Sequence, residues 1–208
     1  GAHPSTNFFS TVMLLTSSPV PSIHVWPPGI YDFKGGIQTY SNFFLQSLKH
    51  LCPHAKVQVF STHDRPVNRS KRDYSGNGCN LAQTDRRFVG MGNWPAMLRI
   101  PAYGARIVLS GLRHQPDLVI TTHANFTPAA AYLKRLAGIP YWTVAHGFEV
   151  WNLKRPSVQS GLQNADRILS VSEYTRQRLI TEQQLCPERI VKLPNTFDLD
   201  RFKPAQKP

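Results

Sequence analysis

The chain has 208 residues, long enough to bury one full core, and its 41% apolar content with plentiful aromatics argues against global disorder. Twenty-four basic against 12 acidic residues give a formal charge of +12 and a pI near 10. That balance implies attraction to polyanions, whether nucleic acid, an anionic membrane surface or phosphorylated small molecules, and says nothing about fold. Cys52, Cys79 and Cys186 are odd in number, far apart and without C-x-x-C spacing, which removes a zinc framework and a disulfide scaffold. Reduced thiols in a cytosolic protein are the simplest account. No apolar run approaches the ~20 residues needed to span a bilayer, and Phe8 to Leu15 lacks the flanks of a secretory signal.

In chain order, Thr11 to Thr16 reads as a first buried strand, and Ser17 to Lys34, dense in Pro and Gly, as an irregular connection. Gly35-Gly36 then opens a helix in which Ile37, Tyr40, Phe44, Leu48 and Leu51 recur at helical spacing. With a strand at Val57 to Ser61 this makes one βαβ unit. His63 to Asn93 is polar and rich in Arg, Asn and Gly, and reads as a polar excursion without regular structure. Alternation resumes with helix Ala96 to Arg113, strand Asp117 to Thr121, helix Pro128 to Ala137 and strand Tyr141 to Ala145. A helix from Pro156 to Asn164, strand Arg167 to Val171, helix Glu173 to Glu182 and strand Ile190 to Leu193 complete the set, with Ser172 placed as an N-cap. Such alternation specifies a doubly wound α/β domain with a mainly parallel sheet and helices on both faces.

Two places carry chemistry. His146-Gly147 ends the strand Tyr141 to Ala145, where open α/β sheets bind ligands, and Gly147 permits φ > 0 and a close ligand approach. Gly35-Gly36 stands at a helix N-terminus, where unsatisfied N–H groups suit a phosphate. Several other chemistries lack their signatures. Ser17-Ser18-Pro19-Val20 follows the expected first strand where a dinucleotide fold needs G-x-G-x-x-G, and Gly76-Asn-Gly78 and Gly90-Met-Gly92 lack a third glycine. No P-loop, G-x-S-x-G or H-E-x-x-H occurs.

These segments, taken in order, resemble the N-terminal domain of a family 4 (group 1) glycosyltransferase of the GT-B type. The resemblance is carried by Gly35-Gly36-Ile37-Gln38-Thr39-Tyr40, Pro116-Asp117-Leu118-Val119, Ala145-His146-Gly147-Phe148-Glu149, Ala165 to Thr175, Leu193 to Asp198 and Phe202-Lys203-Pro204. Thr196 departs from it, standing where a glycine often follows Asn195. The resemblance implies a Rossmann-like acceptor-side domain over residues 1–195 and the start of an interdomain linker at 196–208. The nucleotide-sugar domain, with its E-x7-E motif, lies outside the sequence, so the chain alone is expected to be inactive. It implies retention of anomeric configuration, with Gly35 and Gly36 facing the donor diphosphate and His146 touching the donor sugar near the reacting carbon. Glu149 is expected to orient the acceptor or to cap a helix, and His123, Asn125 and Tyr174 follow strand ends on the ligand side. No metal or other cofactor is expected, since Asp198-x-Asp200 reads as a turn. Partners are then the nucleotide sugar, a glycan or lipid-linked acceptor and the anionic inner face of a membrane, with no nucleic acid. The alternative is a basic α/β binding module for nucleic acid or another polyanion.

Overall fold

The structure, a computed structural model, describes residues 20–32, 35–66 and 88–195. Among the described residues seven strands form one sheet: β1 (Ser22–Trp26), β2 (Lys56–Ser61), β3 (Phe88–Gly90), β4 (Leu118–Thr121), β5 (Tyr141–Ala145), β6 (Arg167–Ser170) and β7 (Ile190–Lys192). Their order is β3-β2-β1-β4-β5-β6-β7 and every neighbouring pair is parallel. Helices α1 (Gly36–Leu51), α2 (Ala96–His114), α3 (Thr127–Ala137), α4 (Pro156–Gln163) and α5 (Glu173–Gln183) alternate with the strands. The expected doubly wound, Rossmann-like architecture is therefore present.

Two strands fall where none was expected. β1 lies inside the stretch read as irregular, and β3 lies inside the polar excursion assigned to 63–93. The strand expected at Thr11 to Thr16 lies outside the described residues, as do Asp198 and Asp200. β1 is an inner strand of the sheet, hydrogen-bonded to β2 on one side and β4 on the other. The pair Gly90 and Gly92, which had no assigned use, sits where the end of β3 passes His63 to Arg65, and a Cβ at either position would collide with that backbone.

The core has two layers. On one face α1 places Tyr40, Phe44, Leu45 and Leu48 against Ile23, Val25, Ile120 and Val144. On the other, α2 to α5 bury Tyr103, Ile107, Leu133, Leu162 and Leu179 against Trp26, Phe60, Tyr141 and Ile168. A buried Leu, Ile or Phe stabilises by about 1.5–3 kcal/mol, so these layers dominate stability. Two aspartates fasten the amino edge of the sheet. Asp117, just before β4, accepts the Ser22 N–H of β1 at 2.7 Å. Asp166, just before β6, accepts the Tyr141 N–H of β5 at 2.9 Å and pairs with Lys134 at 2.7 Å. Ser172 caps α5 as expected, its hydroxyl accepting from the Thr175 N–H at 3.1 Å.

Candidate active site

The strand order reverses between β1 and β4, so the carboxyl ends of β1, β4 and β5 form the rim where such sheets receive ligands. His146, the first residue after β5, lies on this rim. Its Nε2 stands 2.9 Å from the Thr122 carbonyl. A carbonyl only accepts, so Nε2 carries the proton and the neutral ring keeps its lone pair on Nδ1. Burial lowers the His146 pKa from its ordinary value; the Thr122 hydrogen bond and the Glu149 charge act the other way without reversing it. At neutral pH the ring is therefore an uncharged acceptor.

Gly35 and Gly36 reach the same rim through α1. The Tyr40 ring, one turn into α1, meets His146 edge-on with centroids 5.0 Å apart. The next residue, Ser41, hydrogen-bonds the Thr122 hydroxyl at 2.8 Å in the buried interior. Thr122 thus holds both α1 and the imidazole. At the helix mouth Gly35 provides no side-chain cap, its φ of −161° is ordinary extended backbone, and a Cβ on Gly36 would meet nothing within 4 Å. The diglycine is not required by backbone conformation; the space at Gly36 is open beside the uncapped N–H groups of the first turn, whereas a Cβ on Gly35 would meet the Gln38 amide oxygen at 2.6 Å. The loop leading to it is fixed from β2. The fully buried Asp64 carboxylate accepts the N–H groups of Ile30, Tyr31 and Asp32 at 2.7–2.8 Å and the Ser61 hydroxyl at 2.7 Å.

The other expected residues separate. Glu149 turns inward, its carboxylate accepting the His146 N–H across a turn in which Val150 N–H bonds the Gly147 carbonyl at 2.9 Å. Gly147 has φ +149°, and its missing Cβ leaves room for the Trp151 ring. Burial lowers the pKa of His123, which lies near Glu149, whose charge acts the other way, and near the His146 ring. Its Nδ1 accepts the Asn125 N–H at 3.1 Å, which caps a short helical turn. Asn125 is exposed and accepts from Arg155 at 3.2 Å. Tyr174, on the first turn of α5, packs edge-on against Trp151 at 5.2 Å with Arg178 over both rings. Phe148, 87% exposed, closes this aromatic group against Trp151 at 4.7 Å. Sequence reasoning missed Thr122, Ser41, Asp64 and the Trp151–Arg178 contact. Tyr40 was read only as part of a core stripe. Among the described residues no group of three His, Cys, Asp or Glu side chains could hold a metal ion.

A parallel sheet whose order reverses beside a helix mouth and an imidazole on its carboxyl rim is a Rossmann-like arrangement of the kind that receives ligands at that rim. The model of Glycosyltransferase Family 4 matches residues 35–201, and the chain belongs to that family. The curated proteins give no significant sequence match. Among solved structures, the fold resembles apo lipopolysaccharide outer core galactosyltransferase WaaB (14% identity, TM-score 0.58, 88% of this chain and 50% of that one). It also resembles a glycosyltransferase from Rickettsia africae (15%, TM-score 0.60, 88% and 45%) and Anabaena HepE in complex with UDP (14%, TM-score 0.57, 87% and 45%). The chain spans about half the length of these proteins. UDP-GlcNAc 2-epimerase from Neisseria meningitidis shares the fold as well (13%, TM-score 0.51, 82% and 45%). At these identities the likeness shows the fold, and the family match shows the class. That match favours the transferase class over the reading of the domain as a basic binding module.

Proposed function

We propose that this domain is the acceptor-side half of a retaining glycosyltransferase that moves a sugar from a nucleotide-sugar donor to a lipid-linked or saccharide acceptor. The observation that carries the reading is the shared anchorage of His146 and the α1 mouth on Thr122 and Tyr40. It keeps a phosphate-suited helix end and an uncharged hydrogen-bond acceptor together on one rim. Solved relatives of the fold bind UDP and UDP-glucose, in keeping with a nucleotide-sugar donor.

In the proposed reaction the N–H groups at Gly35 and Gly36 face the donor diphosphate and stabilise charge gathering on the leaving phosphate. His146 Nδ1 accepts a hydrogen bond from a donor-sugar hydroxyl. The acceptor hydroxyl oxygen bonds to the anomeric carbon on the face from which the phosphate departs, and its proton passes to the leaving phosphate oxygen. No metal or organic cofactor is invoked. Glu149 acts through the backbone of His146, and His123 shapes the pocket floor rather than reacting.

The test uses the full two-domain enzyme. His146→Ala is expected to lower kcat on the order of 100-fold or more. His146→Gln keeps a donor toward the Thr122 carbonyl and so serves as a folded control that still lacks the ring acceptor. Near-normal turnover in His146→Ala would remove the imidazole from the reaction.

A further inference from the structure

We propose that Phe148, Trp151 and Tyr174 form an aromatic platform that holds the ring of a neutral saccharide beside His146. A turn sets the platform in place. The chain leaving β5 folds back at Gly147, whose carbonyl accepts the N–H groups of Val150 and Trp151 at 2.9 and 3.2 Å. Gly147 has no Cβ, so the Trp151 ring lies against the residue that follows His146; a Cβ there would stand 3.1 Å from the indole Cζ2. Phe148 meets this indole with centroids 4.7 Å apart, and Tyr174, carried in by β6 and α5, meets it edge-on at 5.2 Å.

Two of the three rings are left open to solvent, Phe148 at 87% and Tyr174 at 61%. A single exposed phenylalanine needs no explanation. A contacting row of aromatic rings on a ligand-binding rim does, because a side chain that stays in water contributes little through burial. Phe148 therefore gives the fold almost nothing that a smaller residue would not.

Charge and polarity select the occupant. The chain carries +12, yet α5 is neutral, with Glu173 and Glu182 balancing Arg176 and Arg178. Each arginine pairs with one of those glutamates. The Arg178 guanidinium also lies over the Trp151 and Tyr174 rings, 5.0 and 5.7 Å from their centroids. With its charge already balanced, the patch offers an anion no net attraction. A pyranose ring presents an apolar face of axial C–H bonds with partial positive charge, which suits the electron-rich face of an aromatic ring. Its hydroxyls remain at the edge, where the Tyr174 hydroxyl, the Glu182 carboxylate and water can bond them.

The place of the platform gives it a use. Phe148 is two residues from His146, so a sugar ring seated there stands next to the imidazole. As the acceptor's ring it would make the platform select saccharide acceptors through a C–H face rather than through a phosphate. That use rests on the transferase reading; the binding itself does not.

The experiment titrates the 208-residue chain with maltose, cellobiose and lactose, and with inorganic phosphate, by proton–nitrogen correlation NMR. The reporter is the Trp151 indole N–H, which is buried without a hydrogen-bond partner, so its shift reads the rings around it. A saturable shift with at least one disaccharide and none with phosphate is expected. Phe148→Ala should weaken the binding about 3- to 10-fold, and Phe148→Tyr should retain it. Melting temperatures of both variants should match the parent, because the side chain is exposed. No saturable shift with any of the three sugars, equal affinity in Phe148→Ala, or a like response to phosphate would overturn the platform and leave the transfer reaction standing. Near-normal turnover in His146→Ala would do the reverse, ending the reaction while a Phe148-dependent sugar site remained. A concentration-dependent dimer that Phe148→Ala dissociates would also overturn the platform, by making these rings a contact between copies of the chain.

Discussion

Asp64 is the residue whose removal should most clearly separate the loop of the site from the rest of the fold. Its side chain is fully buried and accepts four hydrogen bonds, three from consecutive backbone N–H groups in Ile30–Asp32 and one from Ser61. In Asp64→Asn the amide oxygen can keep Tyr31 and Asp32, but its NH₂ then faces the Ile30 N–H, donor against donor, while the Ser61 hydroxyl can rotate to accept. The loss is one charge-assisted bond, about 1.5–3 kcal/mol, plus one buried donor left without a partner, about 1–3 kcal/mol. A total near 4 kcal/mol is a large part of the roughly 5–15 kcal/mol that holds a domain together. Urea unfolding should show a lower midpoint at unchanged slope, and hydrogen exchange should show protection lost first and most at Ile30, less at Tyr31 and Asp32, with β5 and β6 amides far less affected. A midpoint shift worth less than about 1 kcal/mol, with the Ile30 amide still protected, would refute the claim that this carboxylate holds the loop.

The two kinds of glycine on the rim should respond in opposite ways. Gly147→Ala places a Cβ 3.1 Å from the Trp151 ring at φ +149° and should cost roughly 1–3 kcal/mol in urea unfolding. Gly36→Ala meets nothing and should leave stability unchanged or raise it by up to about 1 kcal/mol, while lowering nucleotide-sugar affinity in the full enzyme. Ser172→Ala removes the α5 cap and should cost about 1 kcal/mol by the same assay. The pH dependence follows from two depressed imidazoles. His123 and His146 have folded pKa values below the unfolded value, so the unfolded chain binds more protons as the pH falls. Their contribution is complete above about pH 6.5 and is lost on acidification towards the folded values. The denaturation midpoint should drop between about pH 7 and pH 5, and less steeply in the double variant His123→Asn, His146→Gln. An unchanged slope in that variant would assign the acid sensitivity elsewhere.

What could be read in the sequence was the part decided by local pattern. β5 is uncharged, β-branched and aromatic, and its bounds Tyr141–Ala145 coincide with expectation; α5 differs by a residue at its end. β1 escaped because prolines at 19, 21, 27 and 28 enclose it and His24 interrupts its five residues, so no period could form. Pairing decides that strand instead, through β2, β4 and the Asp117 carboxylate. β3 is three residues long, below any window, and exists as the partner of Val59 to Ser61. The segments Pro116–Val119 and Ala165–Arg167 signalled the family, yet Asp117 and Asp166 fasten the amino edge of the sheet, opposite the rim. His146 was legible because a polar residue and a glycine break an apolar run. Thr122, Ser41 and Asp64 were not, because an ordinary hydroxyl or carboxylate acquires its role only from the residues that tertiary structure places beside it.

The partnership at Thr122 joins the two functional parts mechanically. Its hydroxyl meets Ser41 on α1, and its carbonyl meets the imidazole after β5. A shift of α1 therefore disturbs the Tyr40 edge against His146 and strains the same threonine that orients the ring. In the proposed reaction the backbone that would face the phosphate and the nitrogen that would face the sugar are tied to one residue, by a buried bond on the α1 side and a part-buried one on the imidazole side. Such pre-arrangement costs no reorganisation when charge develops on a leaving group, which is the condition under which a helix mouth and a neutral imidazole lower a barrier rather than only bind.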